Sequence, residues 1–144
     1  MNKKKIITTN VWHFRQKMTK KQRLRDKADK LWKLVCFEKY GRVCEICGGN
    51  YKPTAHHYYY RSSCSHLRFD LDNGVILDAK CHFLLHFRDP KPVEEQIIKI
   101  RGKKWLNRLK KKANNPPKYF NFNEQFIEKA IKNLNEPHLS RKIN

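Results

Sequence analysis

Apolar residues recur at helical spacing in the first third of the chain. Most residues between them are Lys or Arg, as on the solvent side of an amphipathic helix. Thr19 is a suitable N-cap, and Gly41 can end the helix. The pattern predicts a helix over residues 19–40, after a basic arm over residues 1–18. The repeating apolar residues are Leu24, Ala28, Leu31, Trp32 and Val35.

The last third of the chain shows the same period twice. A helix is predicted over residues 93–113, where Pro92 suits the first turn and Gly102 marks either a kink or a break between two helices. An Asn-Asn-Pro-Pro run ends this stretch, and a final helix is predicted over residues 123–135. The apolar stripe of the helix predicted over residues 93–113 is Val93, Ile97, Ile100, Trp105, Leu106 and Leu109.

Short segments occupy the middle of the chain. A knuckle with two glycines is predicted over residues 42–53, and a Tyr-rich strand over residues 54–60. A loop over residues 61–72 leads through an Asn-Gly turn to a short strand over residues 75–77. Residues 79–88 read as a short helix. The order of elements predicts an α+β fold.

Basic residues greatly outnumber acidic ones. The chain has 33 Lys and Arg against 13 Asp and Glu, a formal net charge of +20. Nucleic acid is the first expected partner, because each Lys or Arg that meets a phosphate releases a condensed counterion. An anionic membrane surface and a ribosome-associated role are alternatives that charge alone does not exclude.

Neither a membrane span nor an export signal is expected. No apolar run approaches the roughly 20 residues that a helix needs to cross a bilayer. After the basic residues 1–5, only Ile6 and Ile7 are apolar before polar residues resume. We therefore expect a cytoplasmic protein without a membrane partner. In that reducing compartment, a Cys-x-x-Cys pair among five cysteines indicates metal binding rather than a disulfide.

Four histidines and an asparagine form the most informative pattern. His56 and His57 are adjacent on a predicted strand and therefore point to opposite faces. His82 and His86 lie four residues apart on a predicted helix, which puts both rings on one face. Such a pair suits one metal ion. Asn73 stands between the two pairs, at the start of the second strand.

Residues 44–88 resemble the HNH endonuclease family, whose core is a ββα-metal (His-Me) finger. The His-His, Asn and His-x-x-x-His order is closest to the nuclease domains of DNase colicins. The flanking sequence is also similar to that of phage recombination endonucleases of the NinG (Rap) type. The similar positions are a Cys-x-x-Cys pair, Arg61, residues 67–70, Asn73 and Cys81. The resemblance implies DNA as partner and a bacterial or phage-infected host cell, and it raises branched recombination intermediates as substrates.

The resemblance also implies a role for each residue. His56, His82 and His86 would bind one catalytic divalent ion, which could be Mg²⁺, Mn²⁺, Ni²⁺ or Zn²⁺. In many such proteins the last histidine instead serves the phosphate, so His86 has two candidate roles. His57 would be the general base, since a neutral imidazole has a pKa near the working pH. Asn73 would tie the hairpin together and orient His57 for catalysis.

The cysteines indicate a second site, because many HNH proteins hold a structural zinc between two Cys-x-x-Cys pairs. Cys44 and Cys47 match the first pair and Cys81 matches half of the second, but Asp78 stands where the other cysteine is expected. Asp78 could supply an oxygen ligand, Cys64 could reach in from the loop, or zinc could be lost. Without zinc, the cysteines would be small buried hydrophobic residues.

The chain as a whole is expected to be one HNH domain over residues 1–144. Its parts are a basic arm and helix over residues 1–43, a knuckle and ββα-metal core over 44–88, and a helical extension over 89–144. The oligomeric state stays open.

The candidate phosphate contacts flank the proposed ion: Arg61, Arg68, Lys80 and Arg88. Two rival functions remain beside the nuclease. One is a non-catalytic zinc-knuckle protein that binds nucleic acid, and the other is a basic RNA-binding protein.

Overall fold

The fold is α+β, as predicted, with five helices and a two-stranded antiparallel sheet among the described residues. The structure is a computed structural model that describes residues 17–136, so most of the predicted basic arm and the chain after residue 136 lie outside it. The elements are α1 (Lys20–Tyr40), β1 (Thr54–His57), β2 (Gly74–Leu77), α2 (Ala79–Phe87), α3 (Lys91–Arg101), α4 (Lys103–Asn114) and α5 (Glu124–Asn135).

Helix α1 begins and ends where its sequence signals predict. The Thr19 hydroxyl accepts from the Gln22 backbone N–H at 3.2 Å, and the Gln22 side chain accepts from the Thr19 N–H at 2.7 Å. This reciprocal pair satisfies two N–H groups that the first turn leaves without partners. Gly41 ends the helix with a φ of 86°, in the left-handed region that glycine favours.

The first strand is shorter than predicted. β1 stops at His57, whereas the Tyr-rich pattern predicts a strand to residue 60. The buried Asn73 side chain causes the departure, because its amide captures the backbone of Tyr59. The Asn73 Oδ1 accepts from the Tyr59 N–H at 2.8 Å, and its Nδ2 donates to the Tyr59 carbonyl at 3.0 Å. The predicted loop that follows contains two short 3₁₀ turns, Ser65–Leu67 and Leu71–Asn73.

The long helix predicted over residues 93–113 is two helices. Gly102 has a φ of 85° and separates α3 from α4. Of the two alternatives predicted for Gly102, the break between two helices is confirmed and the kink in one helix is wrong. Ile100, which the sequence placed in the apolar stripe, is 47% exposed because the stripe restarts after Gly102.

The sheet lies between two cores, and this decides where the histidines point. Val75 and Leu77 pack with α2, α3 and α4, while Ile76 packs with α1 and α5. Directly paired residues of an antiparallel sheet share a face. His56 pairs with Val75 and therefore points toward α2, whereas His57 pairs with Gly74 on the side of α1.

A buried ion pair joins the knuckle to α3. The Arg101 guanidinium contacts both Glu45 carboxylate oxygens, at 2.5 and 2.7 Å, and donates to the Gly74 carbonyl at 2.9 Å. The Cζ atom of the Arg101 guanidinium lies 3.9 Å from the centre of the Tyr40 ring. Both charged side chains are only 13% exposed. The same carboxylate accepts from the Ile76 N–H at 2.8 Å, so the pair holds the knuckle on the edge of β2.

Removing this guanidinium should be costly. We expect Arg101→Ala to lower the free energy of unfolding by about 3–5 kcal/mol, because it leaves the Glu45 charge buried without a partner. Arg101→Lys should recover only part of this loss, since an ammonium cannot form the two parallel hydrogen bonds. Urea denaturation measures both.

The matched control is Arg108, whose side chain is 54% exposed and lies 3.1 Å from Asp72. Arg108→Ala should cost no more than about 1 kcal/mol, as for other exposed ion pairs. Equal losses for the two alanine variants would contradict the buried pair's importance.

Candidate metal centres and active site

Three imidazoles from two elements meet at one point. His56 comes from β1, and His82 and His86 come from consecutive turns of α2. One ring nitrogen from each lies within 4.8 Å of the other two. The His82 and His86 Nε2 atoms are 3.1 Å apart. Three ligand atoms at this separation could hold a metal ion.

The electrostatics of the cluster suit a cation. His56 is only 7% exposed, and among the described residues its ring forms no hydrogen bond. Burial, helped by the neighbouring imidazoles, lowers the pKa of His56 to about 3, and burial also lowers the pKa of His82. The rings of His56 and His82 are therefore neutral at pH 7 and carry lone pairs. A buried polar group without a partner is costly, and a bound ion would supply the partner.

His57 is held differently from the other three. Its ring stacks on Trp32 of α1, with centroids 3.9 Å apart and planes inclined by 8°. Its Nε2 lies 2.7 Å from the Arg68 carbonyl oxygen. A carbonyl can only accept, so Nε2 carries the proton and Nδ1 is the nitrogen with the lone pair. Burial lowers the pKa of His57 to about 4, which keeps the ring neutral at pH 7.

Asn73 acts on the backbone around His57. Its side chain is fully buried and is not part of the cavity that the histidines line. Besides holding Tyr59, its Nδ2 lies 3.3 Å from the Leu67 carbonyl oxygen, and the next carbonyl, that of Arg68, accepts from His57. This geometry gives Asn73 a positioning role through the loop.

The four histidines line one open cavity of about 920 Å³ between α1, the hairpin and α2. Four basic and two acidic side chains join them in its wall: Arg25, Lys33, Arg61, Arg68, Asp26 and Asp29. The cavity is therefore a basic groove, suited to a phosphate-rich ligand.

The four predicted phosphate contacts occupy different environments. Arg61 lines the groove with its side chain 52% exposed. Arg68 is 14% exposed, and both its Nε and Nη2 donate to Asp29, at 2.8 and 2.6 Å. Lys80 and Arg88 are exposed on α2 and at its end, outside the groove lining. Only Arg61 therefore combines exposure with a place in the groove.

The second cluster joins the knuckle to the start of α2. One ligand atom from each of Cys44, Cys47, Asp78 and Cys81 lies within 4.8 Å of the others. Cys64, the alternative fourth ligand, is not in this group. The Cys47 Sγ lies 3.1 Å from Asp78 Oδ2, while Asp78 Oδ1 accepts from the Cys81 N–H at 2.8 Å and caps α2. Three sulfurs and a carboxylate oxygen could hold a second metal ion.

The knuckle backbone is shaped around these sulfurs. The Gly48 N–H donates to the Cys44 carbonyl at 2.9 Å, and Gly48 has a φ of 72°. The Gly49 N–H points at the Cys47 sulfur from 3.4 Å. A β-carbon at Gly49 would collide with the Asp78 carboxylate, so the turn closes only with glycine there.

Acid should destabilise the protein through His57. Between about pH 6.5 and pH 4, the unfolded chain binds a proton at this ring that the folded chain does not, so the free energy of unfolding falls as the pH falls. We expect His57→Gln to reduce this loss by about 1–2 kcal/mol, after allowance for the ring's partial exposure. Urea denaturation of parent and variant at several pH values measures it. Parallel curves would contradict this origin.

Sequence reasoning missed the part of the site that α1 contributes. It placed Trp32 in an apolar stripe and gave Asp29 no role, yet one stacks on His57 and the other holds Arg68. Both contacts join residues 25 or more positions apart, and no local spacing signals them. A tryptophan on the buried face opposite a basic surface was the only available hint.

Comparisons with protein-family models, curated proteins and solved structures find no match to this chain. Within residues 17–136, no helix has both the length and the apolar character needed to cross a membrane.

Proposed function

We propose that this protein is a metal-dependent HNH-type endonuclease that hydrolyses DNA phosphodiester bonds. One observation carries the proposal: three imidazoles meet within metal-binding distance, and a fourth, held separately, faces the same basic groove. The order β1, β2, α2, with ligands from the first strand and the helix, supports a ββα-metal finger as the core.

The donor set fits the ion that this family would require. His56, His82 and His86 would hold it, and three nitrogen donors without a carboxylate favour Zn²⁺, Ni²⁺ or a similar transition metal over Mg²⁺. A bound divalent ion would stabilise negative charge on the scissile phosphate and on the departing oxygen.

His57 would act as the general base. Its Nδ1 would take a proton from water while the water oxygen forms a bond to phosphorus. The bond from phosphorus to the 3′ oxygen breaks, and that oxygen leaves with the electron pair and gains a proton from solvent. The products are 5′-phosphate and 3′-hydroxyl ends. Trp32 and the Arg68 carbonyl would fix the ring plane and the tautomer, as partners of a catalytic histidine do.

The groove supports a polyanionic substrate. A volume of about 920 Å³ is in the range of pockets that enclose ligands of nucleotide size. Arg61 would contact a phosphate from its exposed position in the groove, where its Nη1 lies 3.7 Å from Asp29 Oδ2. The net charge of +20 favours long-range attraction of DNA.

We further propose that the Cys44, Cys47, Asp78 and Cys81 cluster holds a structural zinc. Zinc binds thiolates, imidazoles and carboxylates in closed four-ligand sites, and this cluster offers four ligands and lies apart from the groove lining. Asp78 would link the two centres, because it also caps the helix that carries His82 and His86.

A cleavage panel tests the nuclease proposal. The purified full chain is incubated with duplex, nicked, flapped and four-way DNA in the presence of Mg²⁺, Mn²⁺, Ni²⁺ or Zn²⁺, and the ends are mapped. We expect cuts with 5′-phosphate ends that depend on added metal and that EDTA prevents.

Two outcomes favour the rivals instead. Tight DNA binding without cutting under any metal would support a zinc-knuckle binding protein. Preferential binding of RNA over duplex and branched DNA at the same salt concentration, again without DNA cleavage, would support an RNA-binding protein.

A further inference from the structure

Helix α2 carries an aromatic surface that neither candidate centre uses. Phe83 is 49% exposed, Phe87 is 72% exposed, and Leu84 between them is 37% exposed. The two phenylalanine rings stack on one another, with centroids 5.1 Å apart and planes inclined by 30°. Only Cys81 and Leu85 of this helix are buried. An exposed apolar patch of this kind usually marks a binding surface.

This aromatic pair lies directly beside the three-histidine cluster. Phe83 and Phe87 each follow a ligand histidine in the sequence, so their side chains are turned by about 100° around the helix from the imidazoles. The Phe87 ring centroid is 6.3 Å from that of His86. A strand whose phosphate reaches the histidines would therefore bring a neighbouring base to Phe87.

The charges around the pair match a nucleic acid strand. Lys80 lies three residues before Phe83 and shares its side of the helix, and Arg88 follows Phe87. Both basic side chains are exposed. Aromatic rings between basic residues are the arrangement that single-stranded nucleic acid binds, with bases on the rings and phosphates on the charges.

We propose that Phe87, backed by Phe83, stacks on an unpaired base next to the scissile phosphate, so that the substrate is DNA with an unpaired nucleotide at the cut. This rests on the proposed nuclease function and deepens it. The rings of Phe83 and Phe87 are too close to admit a base between them, because inserting one needs about twice the 3.4 Å base spacing. The base therefore packs on the outer face of Phe87.

A ratio of cleavage rates tests the stacking. The full chain, Phe87→Ala, Phe87→Tyr and Tyr119→Ala are assayed on intact duplex and on the same sequence with a gap or flap, and kcat/KM is measured for each. In Phe87→Ala we expect the preference for gapped or flapped DNA to fall about 5- to 150-fold, the effect of one stacked base. Phe87→Tyr keeps the ring and should keep the preference. Tyr119, which is 88% exposed and elsewhere on the surface, is the matched control and should change nothing.

The outcomes separate this proposal from the nuclease itself. If the parent cuts no DNA of any form, the nuclease proposal fails. If the parent cuts DNA but Phe87→Ala leaves the preference unchanged, only the stacking proposal fails. Sedimentation tests the alternative that a second copy of the chain binds the aromatic surface. A dimer that Phe87→Ala dissociates, without a change in substrate preference, would support that alternative and overturn the proposal.

A binding measurement gives a second readout that does not need cleavage. In a His57→Ala background, 2-aminopurine replaces the unpaired base, and its fluorescence reports stacking. We expect strong quenching on binding that Phe87→Ala removes and Tyr119→Ala retains. Equal quenching with and without the Phe87 ring would also overturn the proposal.

Discussion

Replacing His57 with alanine is expected to slow DNA cleavage by about 10²–10⁴-fold, the contribution of a general base. The ring is neutral at pH 7, its tautomer is set by the Arg68 carbonyl, and Nδ1 accepts no hydrogen bond from the described residues. Among the described residues, the other three histidines of the groove face one another, so none of them is free to act as the base. Single-turnover cleavage at saturating protein measures the chemical step.

The control is His66, which lies outside the groove and whose Nε2 is 3.0 Å from the Lys112 carbonyl oxygen. His66→Ala should leave the rate within a few-fold of the parent. His57→Ala should retain both DNA affinity and bound metal, since His57 is not in the ligand cluster. A His57→Ala variant that cuts DNA as fast as the parent, with metal supplied, would end the assignment of His57 as base.

Local periodicity explains why the directions of the histidines could be foreseen, whereas the expectation that strand and helix share one ion came from the resemblance to the HNH family. Alternation along a strand separates His56 from His57, and four-residue spacing on a helix joins His82 to His86. Neither rule needs knowledge of the tertiary structure. The Asn-Gly turn and the capping residues fix the elements to within a few residues for the same reason, because each signal acts over one turn.

The contacts that hold His57 were beyond the reach of such rules. Trp32 is 25 residues from it in the sequence, and the way α1 crosses the hairpin depends on packing with α5 and β2. The prediction that β1 extends to residue 60 was wrong for a related reason. Tyr58 to Tyr60 have high strand propensity, yet a single buried amide, that of Asn73, redirects their backbone.

The knuckle offers a second large expected effect, on stability. We expect the purified protein to hold one zinc that survives loss of the three-histidine site in a His82→Ala, His86→Ala variant. Cys81→Ser should lose this zinc and lower the free energy of unfolding by more than about 3 kcal/mol, because structural zinc sites supply folding energy directly. Elemental analysis of the folded protein, combined with urea denaturation, measures both effects.

Two variants isolate the roles of the ligands. Cys64→Ser removes a thiol outside the cluster and should keep both zinc and stability. Asp78→Asn keeps an oxygen that can cap α2 but removes the negative charge, so we expect weaker zinc retention with the helix cap preserved. The proposed zinc would hold Asp78, whose carboxylate also caps the helix with His82 and His86, so Cys81→Ser should slow DNA cleavage through loss of the zinc. A parent free of zinc after metal-replete purification, and as stable as Cys81→Ser, would show that the cluster is a packed group of thiols instead.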